Sequence, residues 1–388
     1  MSKSLGIKYI SQCYIKPKYE ANDSKKPYLL THWDLVLLSI NYTQRGLLFP
    51  LPKQDDFSID TLLQSLKDSL AETLALFYPL AGQLVTTVFE DEHRCTVHLD
   101  CNKGQGARFI HASLDNVTVS DILCSVRYPS VVHSLFDLSH GEVSYDGHTM
   151  PNLSIHLLPH NPLQLTEKLF RFRLKEIQKL KSKANEDIHD PNNKISSFQA
   201  VAAFIWRCII RASNLTPEKA THCKLTANNR SRVSPPLPPS YFGNSVSVIL
   251  TSTTAGELLE SSLGQVGELL NKSVQNHTSE VINDIALKLF ESPYVIRRGT
   301  LVDSGVNDTV LIVSSPRLDM YGNEFIGLGK PISVRSGFGN KVPGLVTAYA
   351  GNQGPGSMDF DICLTADCMK NLESDVEFMD FASSYESL

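Results

Sequence analysis

The sequence lacks most features that would place it outside ordinary globular enzymes. Its longest apolar run, residues 200–206, falls far short of the roughly 20 residues that span a bilayer, so a membrane anchor is not expected. The first 13 residues contain no apolar segment of the kind a secretory leader needs. Lys and Arg are scattered without a basic tract, and the net charge of -5 with a pI near 6.2 gives no footprint for a phosphate backbone, so nucleic acid is not an expected partner. Internal repeats and low-complexity tracts are missing too. The eight cysteines (Cys13, Cys95, Cys101, Cys124, Cys208, Cys223, Cys363 and Cys368) include no Cys-x-x-Cys pair and no His/Cys spacing suited to a metal. They read as reduced packing residues, and the expected setting is cytoplasmic.

What is present fits a chain with ordinary cores. Its 388 residues, 42% hydrophobic and 20% charged, suffice for two domains. Strand and helix patterns alternate, which predicts an α/β fold of mixed sheets covered by helices. Residues 7–15 alternate like an edge strand. Asp60 then caps a long helix in which Leu62, Leu66, Leu70, Leu74 and Phe77 recur at helical spacing, and Pro79 ends it. Strands are expected over residues 83–89, 95–99 and 107–111, and a short helix over 121–126.

A second block opens near Leu165. Residues 169–184 begin as a strand and become an amphipathic helix, and the polar residues 185–193 form a loop. Ser196 or Ser197 caps an apolar helix over 198–212 that must be buried on most faces. Further strands are expected at 224–228, 245–251, 309–314, 345–350 and 358–364, with helices at 255–270 and 280–291.

Four motifs stand in order along the chain: Phe77-Tyr78-Pro79-Leu80-Ala81-Gly82-Gln83-Leu84, Ala227-Asn228-Asn229-Arg230-Ser231-Arg232, Tyr241-Phe242-Gly243-Asn244-Ser245, and Glu324-Phe325-Ile326-Gly327-Leu328-Gly329-Lys330-Pro331. In content and spacing they resemble the plant BAHD acyltransferases of specialised metabolism. The likeness runs from Ile10 to Phe381, toward the branch with Ser315-Pro316-Arg317 before the last motif. The resemblance implies two chloramphenicol-acetyltransferase-like domains, a monomer, and a tunnel between the domains open to acyl-CoA on one face and to a small-molecule acceptor on the other. It implies acyl transfer to a hydroxyl or amine, with acyl-CoA as co-substrate and no permanently bound cofactor or metal. The expected division is 1–159 and 160–388, with about 323–350 packing back on the first domain.

In that family a His-x-x-x-Asp-Gly motif supplies the general base, for which a neutral imidazole suits cellular pH. Here only its flanks are found. Residues 143–155 resemble the segment entering the catalytic strand, and residues 158–172 resemble the crossover into the second domain. Several tens of residues between them are missing, so the first domain is expected to be incomplete and the catalytic base is unassigned. His111 to Asp115 and His133 to Asp137 match His-x-x-x-Asp, but chance supplies roughly 0.7 such matches in a chain of this composition, and neither has the following glycine. His148 reads as a turn histidine and His156 as a strand histidine, with a base role as the competing reading for each.

The second-domain signals are intact. The helix start at Ser196 and Ser197, preceded by Lys194, reads either as a CoA subsite built on free N–H groups or as a plain N-cap. Arg230 and Arg232 read either as contacts to CoA phosphates or as braces between loops. Ser314 and Ser315 match family positions lining the tunnel near the thioester. The last motif departs from the family's Asp-Phe-Gly-Trp-Gly: Glu324 replaces the aspartate, Leu328 the tryptophan, and Ile326 is inserted. In the family this motif is structural, so the change bears on local packing. The missing strand bears on stability, since each buried apolar side chain is worth about 1.5–3 kcal/mol.

Overall fold

The computed structural model describes residues 7–50, 57–114, 142–157, 167–186, 188, 194–294, 296, 308–314, 316–325, 328–337 and 340–383. The expected helix at 121–126 lies outside them, as does most of the expected loop at 185–193.

Among the described residues the N-terminal half holds two three-stranded sheets and gives one strand to a two-stranded third. Strand β1 (Ile7–Ile15) runs antiparallel to β6 (Ala107–Leu114), and β6 runs parallel to β7 (Ser154–Leu157). Strands β2 (Tyr28–Leu29) and β4 (Gln83–Phe89) flank β5 (Arg94–Asp100). Between β2 and β3 (Arg45–Leu48), helix α1 (His32–Leu35) is a single turn closed by a Thr31–Asp34 capping box. Helix α2 (Ile59–Leu76) carries Leu63, Leu66, Leu70 and Leu74 at helical spacing and packs them against Ala107 and Phe109 of β6 and Ile155 and Leu157 of β7. Its cap is Ser58, not Asp60: the Ser58 hydroxyl accepts from Thr61 N–H, and Asp60 lies in the first turn, where its charge favours the helix dipole. Pro79 starts a 3-10 turn beyond the helix end.

The C-terminal half is built on a six-stranded sheet ordered β10-β9-β11-β13-β14-β8. These strands are β8 (Glu167–Phe172), β9 (Ala220–Asn228), β10 (Val246–Thr254), β11 (Thr309–Ser314), β13 (Leu345–Ala350) and β14 (Met358–Cys363). Alternation along each strand divides the faces. Phe170, Phe172, Val310, Ile312, Val346, Ala348, Phe360 and Ile362 join the core under the helices, whereas Arg171, Tyr349, Asp359 and Asp361 face the other way. The core helices are α3 (Leu174–Asn185), α4 (Ser197–Ala212), α5 (Ala255–Glu260) and α6 (Leu263–Gln275). Helix α4 is buried nearly throughout, and its Trp206 indole donates to Thr221 Oγ1 at 3.0 Å. The single helix expected over 255–270 is two, because Ser262 forms a fresh capping box with Gln265. Helices α7 (Ser279–Glu291), α8 (Ala366–Glu373) and α9 (Val376–Phe381) complete the half.

Strands β11 and β13 are parallel neighbours, yet the described residues between them, 316–325, 328–337 and 340–344, form no covering helix. They leave the sheet as a strap whose strand β12 (Ser333–Ser336) pairs antiparallel with β3 of the N-terminal half. Gly344 returns the strap at φ +87°, with its missing Cβ only 2.0 Å from Thr309 O, so this close approach requires glycine.

Candidate functional site

Three of the four sequence motifs meet where the two halves touch. Phe77 packs against Phe242 with ring centroids 5.9 Å apart, and Tyr28 meets Phe242 edge-on at 5.6 Å while its hydroxyl donates to Phe242 O. Asp34 reaches the same loop and binds Asn244. Burial raises the Tyr28 phenol to about 12, with Asp34 adding to the effect. The phenol is a fixed donor at cellular pH.

Arg230 lies in that loop system. Its guanidinium donates to Gly243 O and to Asn228 Oδ1, and sits 5.7 Å from the Tyr241 ring centre. Arg232 donates to Val274 O and His277 O at 3.4 and 3.5 Å. Both arginines therefore brace loops through carbonyls. Beside them the Ser247 hydroxyl, His277 Nε2 and Asn229 Oδ1 form a buried triangle of 2.7, 3.2 and 3.1 Å, and burial followed by the Arg232 charge lowers the His277 pKa.

The helix start is similarly occupied. Ser196 Oγ accepts from Gln199 N–H while Gln199 Oε1 accepts from Ser196 N–H, a reciprocal capping box. Asn185 fixes the approach by exchanging hydrogen bonds with Ile195. Ser197 is the first helical residue, and Lys194 is exposed just before it. Ser314 ends β11 opposite Ala348; its side chain and all of Ser315 lie outside the described residues.

The candidate bases are dispersed. His111 is buried on β6 beside Ser11 of β1 and Leu157 of β7, and Asp115, His133 and Asp137 lie outside the described residues. His148 ends a 3-10 turn, with Nδ1 on Tyr145 O at 2.7 Å and Nε2 on Thr86 Oγ1 at 2.9 Å, so both ring nitrogens are engaged. His156 is half-buried in β7 with Nε2 3.1 Å from Ser154 Oγ. Burial, then the Arg108 charge, lowers its pKa to about 4, which makes the imidazole neutral but too weak a base for efficient proton transfer near neutrality. Among the described residues, no histidine side chain hydrogen-bonds to Lys194, Ser196, Ser197, Arg230 or Arg232. Nor is there a group of three or more His, Cys, Asp or Glu placed to hold a metal, or a helix long and apolar enough to cross a membrane.

Sequence reasoning missed Asp34. The pattern Thr31-x-x-Asp34 announces a helix start and could have drawn attention to it, but nothing local points to Asn244, 210 residues away.

Known proteins resemble this chain along nearly its whole length. An uncharacterized acetyltransferase of Arabidopsis thaliana, At3g50280, is 29% identical over 445 aligned positions that take in 96% of this chain and 99% of its own. An Arabidopsis malonyl-CoA:anthocyanidin 5-O-glucoside-6''-O-malonyltransferase is 23% identical, covering 89% and 92%. Vinorine synthase superposes with a TM-score of 0.71 at 19% identity over 98% of this chain and 99% of its own. F. graminearum TRI101, solved with ethyl coenzyme A, gives 0.72 at 16% over 93% and 99%. These superpositions establish the two-domain, chloramphenicol-acetyltransferase-like fold expected from the motifs. The family model described as the transferase family matches residues 5–158 and 160–379. Nearly the whole described structure thus falls within one family, and this chain belongs to it, the transferases of BAHD type.

Proposed function

We propose that the chain is an acyl-CoA-dependent transferase scaffold that moves an acyl group to a hydroxyl or amine of a small-molecule acceptor, with turnover impaired because the His-x-x-x-Asp-Gly segment is missing after residue 157. The observation that carries this reading is the break in the family match at residue 159, directly beyond β7. The alignment with At3g50280 supports it: 445 positions exceed the 388 residues of this chain, so at least 57 positions of the relative have no counterpart here. TRI101 is a structure with coenzyme A derivatives bound, and the shared fold supports the same co-substrate for this chain.

Chemically, the reaction needs the acceptor's proton removed as its oxygen or nitrogen attacks the thioester carbonyl, with release of CoA thiol. Positioning of the two reactants can leave residual rate when the base is absent, and loss of general-base help costs about 10²–10⁴-fold. In this reading the first domain is incomplete beyond β7, the last strand of its sheet among the described residues. A division at residue 159 assigns 1–159 and 160–388 to two domains, and Lys194, Ser196, Ser197, Arg230, Arg232, Ser314 and Ser315 are the proposed CoA-facing residues.

The experiment compares the full chain with a version carrying a relative's segment inserted between Leu157 and Leu158. Acetyl-CoA with a panel of alcohols and amines is followed by free-thiol release, and CoA binding by calorimetry. CoA binding with turnover restored only by the insert supports the reading. Turnover of the chain at the insert's rate removes the impairment, and absence of CoA binding in both removes the scaffold. The same break favours a second reading, an incomplete product of a longer gene, which sequencing the transcript across codons 155–158 decides.

A further inference from the structure

The strap between β11 and β13 is bound to the two halves by different means. Toward the N-terminal half it uses the main chain: β12 pairs with β3 at four positions, Ile332 N–H donates to Leu48 O, and Gly337 N–H donates to Gln44 O. Asn340 and Asn41 exchange amide hydrogen bonds of 2.9 and 3.1 Å, and Phe325 meets Phe49 edge-on at 5.1 Å. Toward the C-terminal sheet it presents mostly side chains, with Ile332 O accepting from Asn352 Nδ2 at 3.3 Å as a main-chain contact. Tyr321 donates to Asp359 Oδ2 at 2.8 Å, Ser336 donates to Asp361 Oδ2 at 2.8 Å, and Lys341 Nζ lies 3.1 Å from the same oxygen. Asp359 and Asp361 project from the sheet face away from the helices, both fully buried, with Arg171 of β8 3.7 Å from Asp359.

We infer that the strap moves with the N-terminal half, and that Asp359 and Asp361 form the latch by which it is fastened to the C-terminal sheet. A ladder of main-chain hydrogen bonds shears only when all its members break together. A handful of side-chain bonds to two carboxylates can be released one at a time, so the plane of separation runs between strap and β13–β14 and leaves β3–β12 intact. The small apolar contact in that plane, Val334 and Tyr321 against Tyr349 with Leu47 and Met320 at its rim, is modest beside the core under α4. Burial raises the Asp359 pKa against the opposing pull of Arg171 and Arg335, whereas at Asp361 the Lys341 and Arg335 charges and the Ser336 hydroxyl outweigh burial and lower it. Asp361 is thus held ionised against the strap. Arg45 of β3, stacked 5.9 Å from the Tyr349 ring, travels with the strap. This inference is independent of whether acyl transfer occurs.

Peptide-resolved thiol labelling of a Val334→Cys chain, with amide hydrogen exchange on the same chain, tests it in the Asp361→Asn background and in Tyr321→Phe, which keeps both carboxylates and their cationic partners; Val334 is fully buried in the plane against Tyr349. Losing one charge-assisted partner should accelerate local opening by about tenfold or more. The expected result is that the introduced thiol labels faster by that factor in both backgrounds, while the β3–β12 amides, bonded to each other, and those of β9 and β11 keep their protection. Unchanged labelling in both backgrounds would overturn the latch. Loss of β3 and β12 protection along with the faster labelling would place the separation between those strands and overturn the shared movement. Equal loss of protection in every strand would reduce the carboxylates to general stabilisers and overturn it as well.

Discussion

The carboxylate of Asp34 accepts two hydrogen bonds from a single residue, Asn244, one from its main-chain N–H at 3.0 Å and one from its side-chain amide at 2.8 Å. The second oxygen of Asp34 closes the capping box with Thr31. One side chain therefore both starts a helix turn in the N-terminal half and fixes the Tyr241–Asn244 loop in the C-terminal half. Hydrogen bonds to an ionised group are worth about 1.5–3 kcal/mol each. Asp34→Ala is expected to lower stability by roughly 2–4 kcal/mol, the pair being partly exposed. Urea unfolding measures it, and Thr31→Ala, which touches only the cap, should cost about 1 kcal/mol.

Ser196 separates two uses of a helix start. As a cap, Ser196→Ala costs about 0.5–2 kcal/mol of stability, and Ser196→Gly only a few tenths. If the cap is the whole of its role, CoA affinity measured by calorimetry stays unchanged in both variants. A loss of affinity in the stable glycine variant would assign the hydroxyl to the ligand.

His156 makes stability depend on pH. Its folded pKa, about 4, lies below the unfolded value near 6.5, so between these values the unfolded chain binds more protons than the folded one. Stability therefore falls as the pH drops through this window, by at most about 1.4 kcal/mol per pH unit from this residue. Thermal unfolding from pH 7 to pH 4 should show the slope, and His156→Gln should flatten it.

His148 has both ring nitrogens committed to Tyr145 and Thr86, and a base needs a free one. His148→Gln is expected to leave any residual thiol release within about twofold while destabilising the 3-10 turn, a hydrogen bond being worth about 1 kcal/mol. A loss of activity of the order seen on removing a base, about 10²-fold, would reassign it.

Gly344 tolerates no Cβ. Its φ of +87° and the 2.0 Å approach to Thr309 O predict that Gly344→Ala costs more than the roughly 1 kcal/mol of backbone strain alone. Circular dichroism melting would detect it as a lowered Tm.

Much of the architecture was legible in the chain. Strand β1 follows from alternation, α2 from helical spacing and α4 from its apolar run, because these patterns are set within a few residues, and β4, β11 and β13 hold the bounds expected for them. Errors fell where two local signals compete: Ser58 and Asp60 are both acceptable caps, and only Ser58 has a hydroxyl within reach of Thr61 N–H. The short elements β2, β3 and β12 escaped notice, being two to four residues each with no room for a period to show.

The sequence by itself determined the family and most of the local elements. Only the tertiary structure decided which partners the polar side chains take. It put Arg230 and Arg232 on loop carbonyls, Ser196 in a capping box, and Asp359 and Asp361 under a strap from the same half of the chain. The physical reason is range. Caps and periodicities act over one or two turns of chain, whereas the partner of a buried charge is chosen by sheet order and register, which join segments up to 300 residues apart and leave no mark in the neighbouring letters.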